Sequence, residues 1–493
     1  MKNVLLTTLL VLGVTSAWAL QQTSLRIKAM GENLQGIVED EYTDMLANPA
    51  RMVGINKNTV FANTTAEVLT EEGIKKSKIY GNPSLPVSFS LFSVNNWGVI
   101  AELDKSVSQS GYVSNYKGPG VTYLELRDSV DQSESQNEQF DIGVFKSFSL
   151  KRYSMCFALF PGRIISANNS LSKSDYNTID SISGVTLNKY NETYNSLNEI
   201  ESLYNKIVFG FNHEVKESIR EDLVFTINLQ QNKTFHFSNN YNYRDMDPDN
   251  DGNNMYGTPI TTPSYSTSSI ETRNAQDPKL MSGVGVEYRL NKNLTENISK
   301  GLIFGLSWQP SETNQINTQL NQNYSLIGVS ITSSTFISSS TISGNSNLYK
   351  IFITWGKNIK FPDKKLLLAY ALRGDFSFND TAKNTDLIFN YAASKSQEYT
   401  GSLGLTTGLE YGVFSSLSLR AGVSLAFVGS VKDETVSTSL LNQYQVHSKS
   451  FDQSKMLTFG LGYRPLDYLC LDIYTTGNIL TLSNLQLQVK YMF

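Results

Sequence analysis

Apolar and polar residues alternate at period two through most of the chain. In LLLAYALRGDFSF, residues 366–378, one face carries Leu366, Leu368, Tyr370, Leu372, Phe376 and Phe378. The other carries Ala369, Ala371, Arg373, Asp375 and Ser377. LSLRAGVSLAF, residues 417–427, sets Leu417, Leu419, Val423, Leu425 and Phe427 against Ser418, Arg420, Gly422 and Ser424. LVFTINLQ (223–230), GVGVEYRL (283–290) and GLIFGLSWQ (301–309) repeat the pattern. This period belongs to strands with one apolar and one polar face. A soluble sandwich would show it too. Two features point instead to a membrane barrel. The apolar face stays continuous over about 10 residues, the length of a tilted membrane strand. The connections also alternate in length. They are short at 149–152, 213–221, 291–300, 357–364, 412–415 and 464–467, and long at 165–202, 239–279, 311–346, 379–398 and 431–454. Short periplasmic turns and long external loops follow this order in outer-membrane barrels. The pattern predicts an all-β membrane protein, an antiparallel outer-membrane β-barrel of about 14–16 strands, an even number.

The chain ends in LQLQVKYMF, residues 485–493. Leu485, Leu487, Val489, Tyr491 and Phe493 alternate with Gln486, Gln488, Lys490 and Met492. The parity places Lys490 in the lumen. On the lipid face at mid-bilayer it would cost about 2–4 kcal/mol. This reads as the closing strand of the barrel, with Tyr491 and Phe493 as the terminal signal for the barrel-assembly machinery.

The opposite end, MKNVLLTTLLVLGVTSAWA, has Lys2, a short apolar stretch and small residues Ala17 and Ala19, the form of a secretory signal. No later apolar run approaches the ~20 residues of a membrane helix. The 26 Tyr and 25 Phe suit the aromatic girdles of a barrel in contact with outer-membrane lipid. The net charge of −4 argues against a nucleic-acid partner, which calls for a basic surplus. Two cysteines, Cys156 and Cys470, exclude a disulfide scaffold and leave pairing between them open. The expected organisation is a signal peptide at 1–19, a periplasmic N-terminal hatch or plug at 20–83, and a barrel with long external loops at 84–493, in the bacterial outer membrane.

The segment before the barrel contains VEDEYTDMLANPARM, residues 38–52. Asp40 or Thr43 can cap a short helix whose first turn is acidic. Asn48, ahead of Pro49, is pushed out of helical geometry and ends it. Asp40, Glu41, Thr43, Asn48, Pro49 and Ala50, placed ahead of a long barrel, resemble the N-terminal hatch of the FadL/TodX family of outer-membrane transporters, which also includes PorV-like members. That resemblance implies a barrel of about 14 strands, a plug inside it, and passive uptake of small hydrophobic molecules such as fatty acids. PorV-like relatives imply a different role, a surface or secretion-associated barrel that binds a protein partner through its loops. The Ser- and Asn-rich loops show no apolar ligand-catching hairpin.

Little else carries chemistry. Asp247, Asp249, Asp251 and Gly252 form the first half of a calcium loop, with Asp245 beside them. Thr258 stands where the bidentate Glu should be, so Ca²⁺ in an external loop and a solvated acidic loop both remain open. No other cofactor is expected. His213, His236 and His447 are the only histidines, no phosphate loop, CxxC or HExxH motif is present, and no enzyme activity is expected. Parity turns Lys206, Glu287, Arg289, Arg373, Asp375, Arg420 and Asp472 inward. Their mixed signs suit a lumen network that holds a plug better than an ion-selective ring.

Overall fold

The computed structural model describes residues 24–54, 58–66, 73–74, 77–81, 87–119, 123–180, 186–216, 218–245, 264–275, 279–327, 330–387, 391–437, 443–476 and 485–493. The signal segment 1–19 and Asp247, Asp249 and Asp251 of the calcium expectation lie outside these residues. Asp245 is the last residue of a strand, Ile219–Asp245.

Two short helices come first, α1 (Leu25–Met30) and α2 (Glu41–Ala47). The strands that follow are β1 (Thr59–Ala66), β2 (Gly73–Ile74), β3 (Ser77–Gly81), β4 (Val87–Val94), β5 (Trp97–Pro119), β6 (Tyr123–Leu150), β7 (Tyr153–Asp180), β8 (Thr186–Lys216) and β9 (Ile219–Asp245). The second half contains β10 (Ser264–Ala275), β11 (Met281–Thr295), β12 (Ile298–Ile327), β13 (Ser330–Phe361), β14 (Leu366–Leu387) and β15 (Tyr391–Gly412). It ends with β16 (Leu417–Ser437), β17 (Gln443–Leu466), β18 (Leu469–Thr476) and β19 (Leu485–Met492). All belong to one sheet.

From β4 to β9 and from β11 to β19 each strand pairs antiparallel with the next, and β1 closes the ring by pairing with β19 on one side and β4 on the other. The β2–β3 hairpin is an excursion that pairs with β5. β10 and β11 occupy one position, both lying between β9 and β12 at different heights. Among the described residues the ring has sixteen positions, the upper end of the sequence expectation and two more than the family resemblance implies.

Sequence and structure differ in two places. The hatch was expected to run to residue 83, yet Thr59–Ala66 is a wall strand. The segments read as long external loops are mostly strand. Pairing between β12 and β13 continues to Ile327↔Ser330, and between β7 and β8 to Ile179↔Thr186. Above the membrane neither face needs to be apolar, so the alternation fades while the backbone ladder continues.

The lipid belt is explicit. Val284, Val286, Phe304, Leu306, Leu372, Phe376, Leu403, Leu405, Leu419 and Val423 are all exposed on the outer wall. Trp308, Tyr349, Phe378 and Tyr399 stand opposite one another on successive strands, with ring centroids 6.0 Å apart for Tyr349–Phe378 and 4.8 Å for Phe378–Tyr399. A second girdle contains Tyr411, Tyr468, Tyr491 and Phe493, with Tyr468–Tyr491 at 5.8 Å. From Tyr399 to Tyr411 the strand covers about 40 Å at ~3.3 Å per residue, or about 30 Å along the normal for a ~40° tilt. That is one hydrocarbon thickness. The chain is a β-barrel of the outer-membrane type.

Residues 24–54 fill the lumen as a plug. Leu25, Ile27, Ala29, Met30, Leu34, Tyr42, Met45, Ala50 and Met52 are essentially inaccessible. They pack against inward wall residues in two clusters. One joins Tyr42, Met45 and Met52 to Phe61, Ile100, Phe145, Phe160 and Val208. The other joins Ile27, Met30, Leu34 and Ile37 to Ala369 and Ala371.

Candidate functional site: the plug and the lumen around it

The plug begins with two capped helices. The Ser24 hydroxyl accepts from Ile27 N–H, and the Asp40 carboxylate accepts from Thr43 N–H. Asp40 is therefore the cap, and Thr43 instead accepts from Ser24 N–H at 2.9 Å. Each cap satisfies a donor that a short helix leaves orphaned. α2 ends at Asn48 in extended geometry, as the following proline requires.

The Asn-Pro-Ala segment is fastened to the wall. Asn48 Nδ2 donates to Phe211 O and to Asp222 Oδ1, both at 2.9 Å, while its Oδ1 accepts from Ala50 N–H at 3.1 Å. Ser147 Oγ donates to Pro49 O at 2.7 Å. Arg51 bridges Asp44 at 2.9 Å and Asp222 through Nε at 2.9 Å. Asn212 Nδ2 adds a bond to Asp222 at 2.8 Å. With Arg51 Nη2 also donating to it, Asp222 receives four donor side-chain atoms on a fully buried carboxylate. Gly210 leaves the room for this approach, since a Cβ there would lie 2.2 Å from Asn48 Oδ1. Burial pushes the Asp44 carboxyl up, with Arg51 pulling the other way. Arg51 is raised: Asp44 and Asp222 outweigh the lowering that burial alone would give.

A second fastening holds α1. Arg26 donates to Glu410 through Nε at 2.9 Å and Nη2 at 2.8 Å, and to Glu39 O at 2.9 Å. Arg420 joins Glu410 to Asp472. Below α1 the wall is flat. A Cβ at Gly422 would lie 2.4 Å from the Met30 carbonyl, one at Gly408 2.2 Å from Met30 O, and one at Gly460 2.4 Å from the Ala29 side chain. Thr458 Oγ1 donates to Ala29 O at 2.9 Å.

The inward charges expected from parity are inward, and most occur as neighbouring pairs. Glu287 pairs with Arg289, Arg373 with Asp375 at 2.7 Å, and Arg420 with Asp472. Lys490 reaches Glu41 of the plug, confirming the parity of the terminal strand. Asp222, Glu410, Arg26 and Arg51 were not singled out by sequence reasoning. A signal existed for Asp222 and Glu410, which share the inward parity of their strands. Cys156 and Cys470 are both free. His213 faces Glu221 at 3.6 Å at the turn end of its strand, His447 contacts Asp433, and His236 lies between Asn198 and Arg273 in the ladder.

α2 and the residues after it separate two spaces. On the lumen side lies a cavity of about 430 Å³. Leu46, Phe160, Val208, Val224, Ile303 and Phe352 give it apolar walls, and Lys206, Arg289, Arg373 and Glu287 supply charge. On the other side a cavity of about 370 Å³ is bordered by Asp40, Glu41, Asp44 and Arg51 and by the turn residues Lys151 and Arg152. Beside the first cavity the β6–β7 pairing lapses between Asp141↔Gly162 and Val144↔Leu159. Pro161 has no N–H to offer there, and the Phe160 and Ile100 side chains occupy the space beside Gly143.

The geometry defines a plugged β-barrel of the outer-membrane type. No family model matches the chain, and no curated protein matches it. Solved structures similar to it include channels and transporters. The Pseudomonas putida toluene transporter TodX is 12% identical, with 96% of this chain and 99% of that one covered and a TM-score of 0.38. The Ralstonia pickettii toluene transporter TbuX is 11% identical over 96% and 98%, with a TM-score of 0.37. A Pseudomonas aeruginosa FadL homologue is 10% identical over 97% and 99%, with a TM-score of 0.35.

Proposed function

We propose that the protein is a passive conduit of the bacterial outer membrane for small, largely apolar molecules, with no enzymatic step. The observation that carries the reading is the cavity of about 430 Å³ between plug and wall. Its aliphatic and aromatic walls suit an apolar body. Lys206 and Arg373 suit an acidic end group, which makes a fatty-acid-like ligand the best chemical match. Only the plug residues around α2 separate this cavity from the second one at the turn end of the barrel. Release past α2, or sideways where the β6–β7 ladder lapses, would complete the path. Diffusion would drive it.

The test is mass spectrometry of what remains bound to protein purified from its native membrane in mild detergent, paired with uptake of a fatty acid into protein-containing vesicles. A stoichiometric apolar molecule, displaced by Val208→Trp, supports the reading. An empty lumen with no uptake above protein-free vesicles would refute it. The tall outer wall favours one second reading, a barrel that binds a protein partner at the cell surface. A stoichiometric protein co-purifying with an empty lumen would support that one.

A further inference from the structure

The lumen changes character above the lipid belt. The inward positions of β12 run Gln315, Asn317, Gln319, Asn321 and Asn323, with no apolar or charged residue among them. A cavity of about 460 Å³ opens against them. The register arranges its lining in rows across four strand positions. One row is Asn240, Ser269, Asn321 and Phe336, and the next is Asn242, Thr267 and Asn323. Neighbours within a row stand about 5 Å apart, close to the length of one pyranose ring.

Each of these amides and hydroxyls except the phenyl can both donate and accept. Asn240 Oδ1 is buried without a protein donor. Phe336, at the end of its row, keeps 57% of its surface exposed. An apolar solute lodged here would strip water from the amides without replacing their hydrogen bonds, at about 1–3 kcal/mol each. A charged solute would find no counter-charge in the lining. A sugar ring answers both demands, since its hydroxyls pair with the rows and its C–H face rests on an aromatic ring.

We propose that this outer chamber is a binding site for neutral carbohydrate chains, separate from the cavity beside the plug and independent of the transport reading. The full chain, purified in a polyoxyethylene detergent with no sugar headgroup, is titrated calorimetrically with maltohexaose, cellohexaose and chitohexaose. A heparin-derived hexasaccharide serves as the charged comparison. At least one neutral hexasaccharide should bind and the charged one should not. Phe336→Ala and Asn240→Leu should each weaken binding at least tenfold, while His447→Ala leaves it unchanged. Heat-modifiability on gels confirms that the variants are folded, and Phe336 is too exposed for its loss to unfold the wall. Failure of all three neutral sugars to bind at millimolar concentration would overturn the proposal. So would equal binding of the charged sugar, or affinity unchanged in both chamber variants.

Discussion

Asp222→Ala should release the plug while leaving the barrel standing. The Asp222 side chain is fully buried and receives Arg51, Asn48 and Asn212. Truncation leaves the Arg51 guanidinium, with only 6% of its side chain exposed, facing Asp44 alone. It also takes the acceptor from Asn212 Nδ2 and leaves Asn48 Nδ2 with Phe211 O alone. Removing one partner of a buried ion pair costs about 3–5 kcal/mol, chiefly from the uncompensated charge left behind. At about 1.4 kcal/mol per tenfold, the open fraction of the plug should rise between a hundred- and a few thousand-fold. The strands do not depend on this carboxylate for their ladder. Hydrogen exchange read by mass spectrometry separates the two, because peptides from 24–54 should exchange far faster while those from β12 to β16 keep their protection. The compact gel form should survive. Arg51→Met combined with Asp222→Asn and Asp44→Asn removes all three buried charges together and should recover part of the loss. Plug peptides as protected as in the parent protein would refute the argument that this carboxylate holds the plug.

Three further outcomes follow from the same contacts. Gly422→Val drives a side chain into the Met30 carbonyl and should cost plug docking more than the ~1–3 kcal/mol typical of overpacking, read as faster exchange of α1 with an intact barrel; unchanged α1 protection would count against it. Burial holds the Asp44 carboxyl above its ordinary 3.8, so the docked plug binds this proton more readily than the released plug. The contribution is complete below the ordinary aspartate value and is lost as pH rises through the raised one. Asp44→Asn should therefore flatten that part of the dependence of plug protection on pH, and an unaltered slope would count against it. Deleting Phe493, whose N–H donates to Asn58 O at 2.9 Å, should lower the yield of folded barrel in cells, as pulse-labelling and gel mobility would show.

Much of this architecture was legible in the chain. The parity of 366–378 and 417–427 assigned lipid and lumen faces correctly because a bilayer enforces it. The helix stop at Asn48-Pro49 and the cap at Asp40 were legible because local sterics and local hydrogen bonds decide them. β1 was missed because Val60 and Phe61 are both buried, so TVFANTTA shows no clean alternation. The tall outer strands were missed because Ser, Thr and Asn occupy both faces there. Alternation reports what surrounds a strand, and water surrounds both sides. Asp222 and Glu410 looked like any inward carboxylates, since their partners Arg51 and Arg26 are far away in sequence. The inward glycines 408, 422 and 460 form one floor only once three strands are aligned side by side.

The plug is joined to the wall by a very short leash. Its last turn ends at Gly54, and Thr59 already pairs with Met492 at the seam where the first and last wall strands meet. Five residues reach at most about 17 Å. The end of the plug bearing Asn48 and Arg51 is thus anchored like a hinge leaf to the barrel's own closing joint. However far the plug opens, this end stays within that reach of the seam, whereas α1, once peeled from its glycine floor, has the longer arc to swing. A released plug remains tethered to the joint that makes the ring a ring.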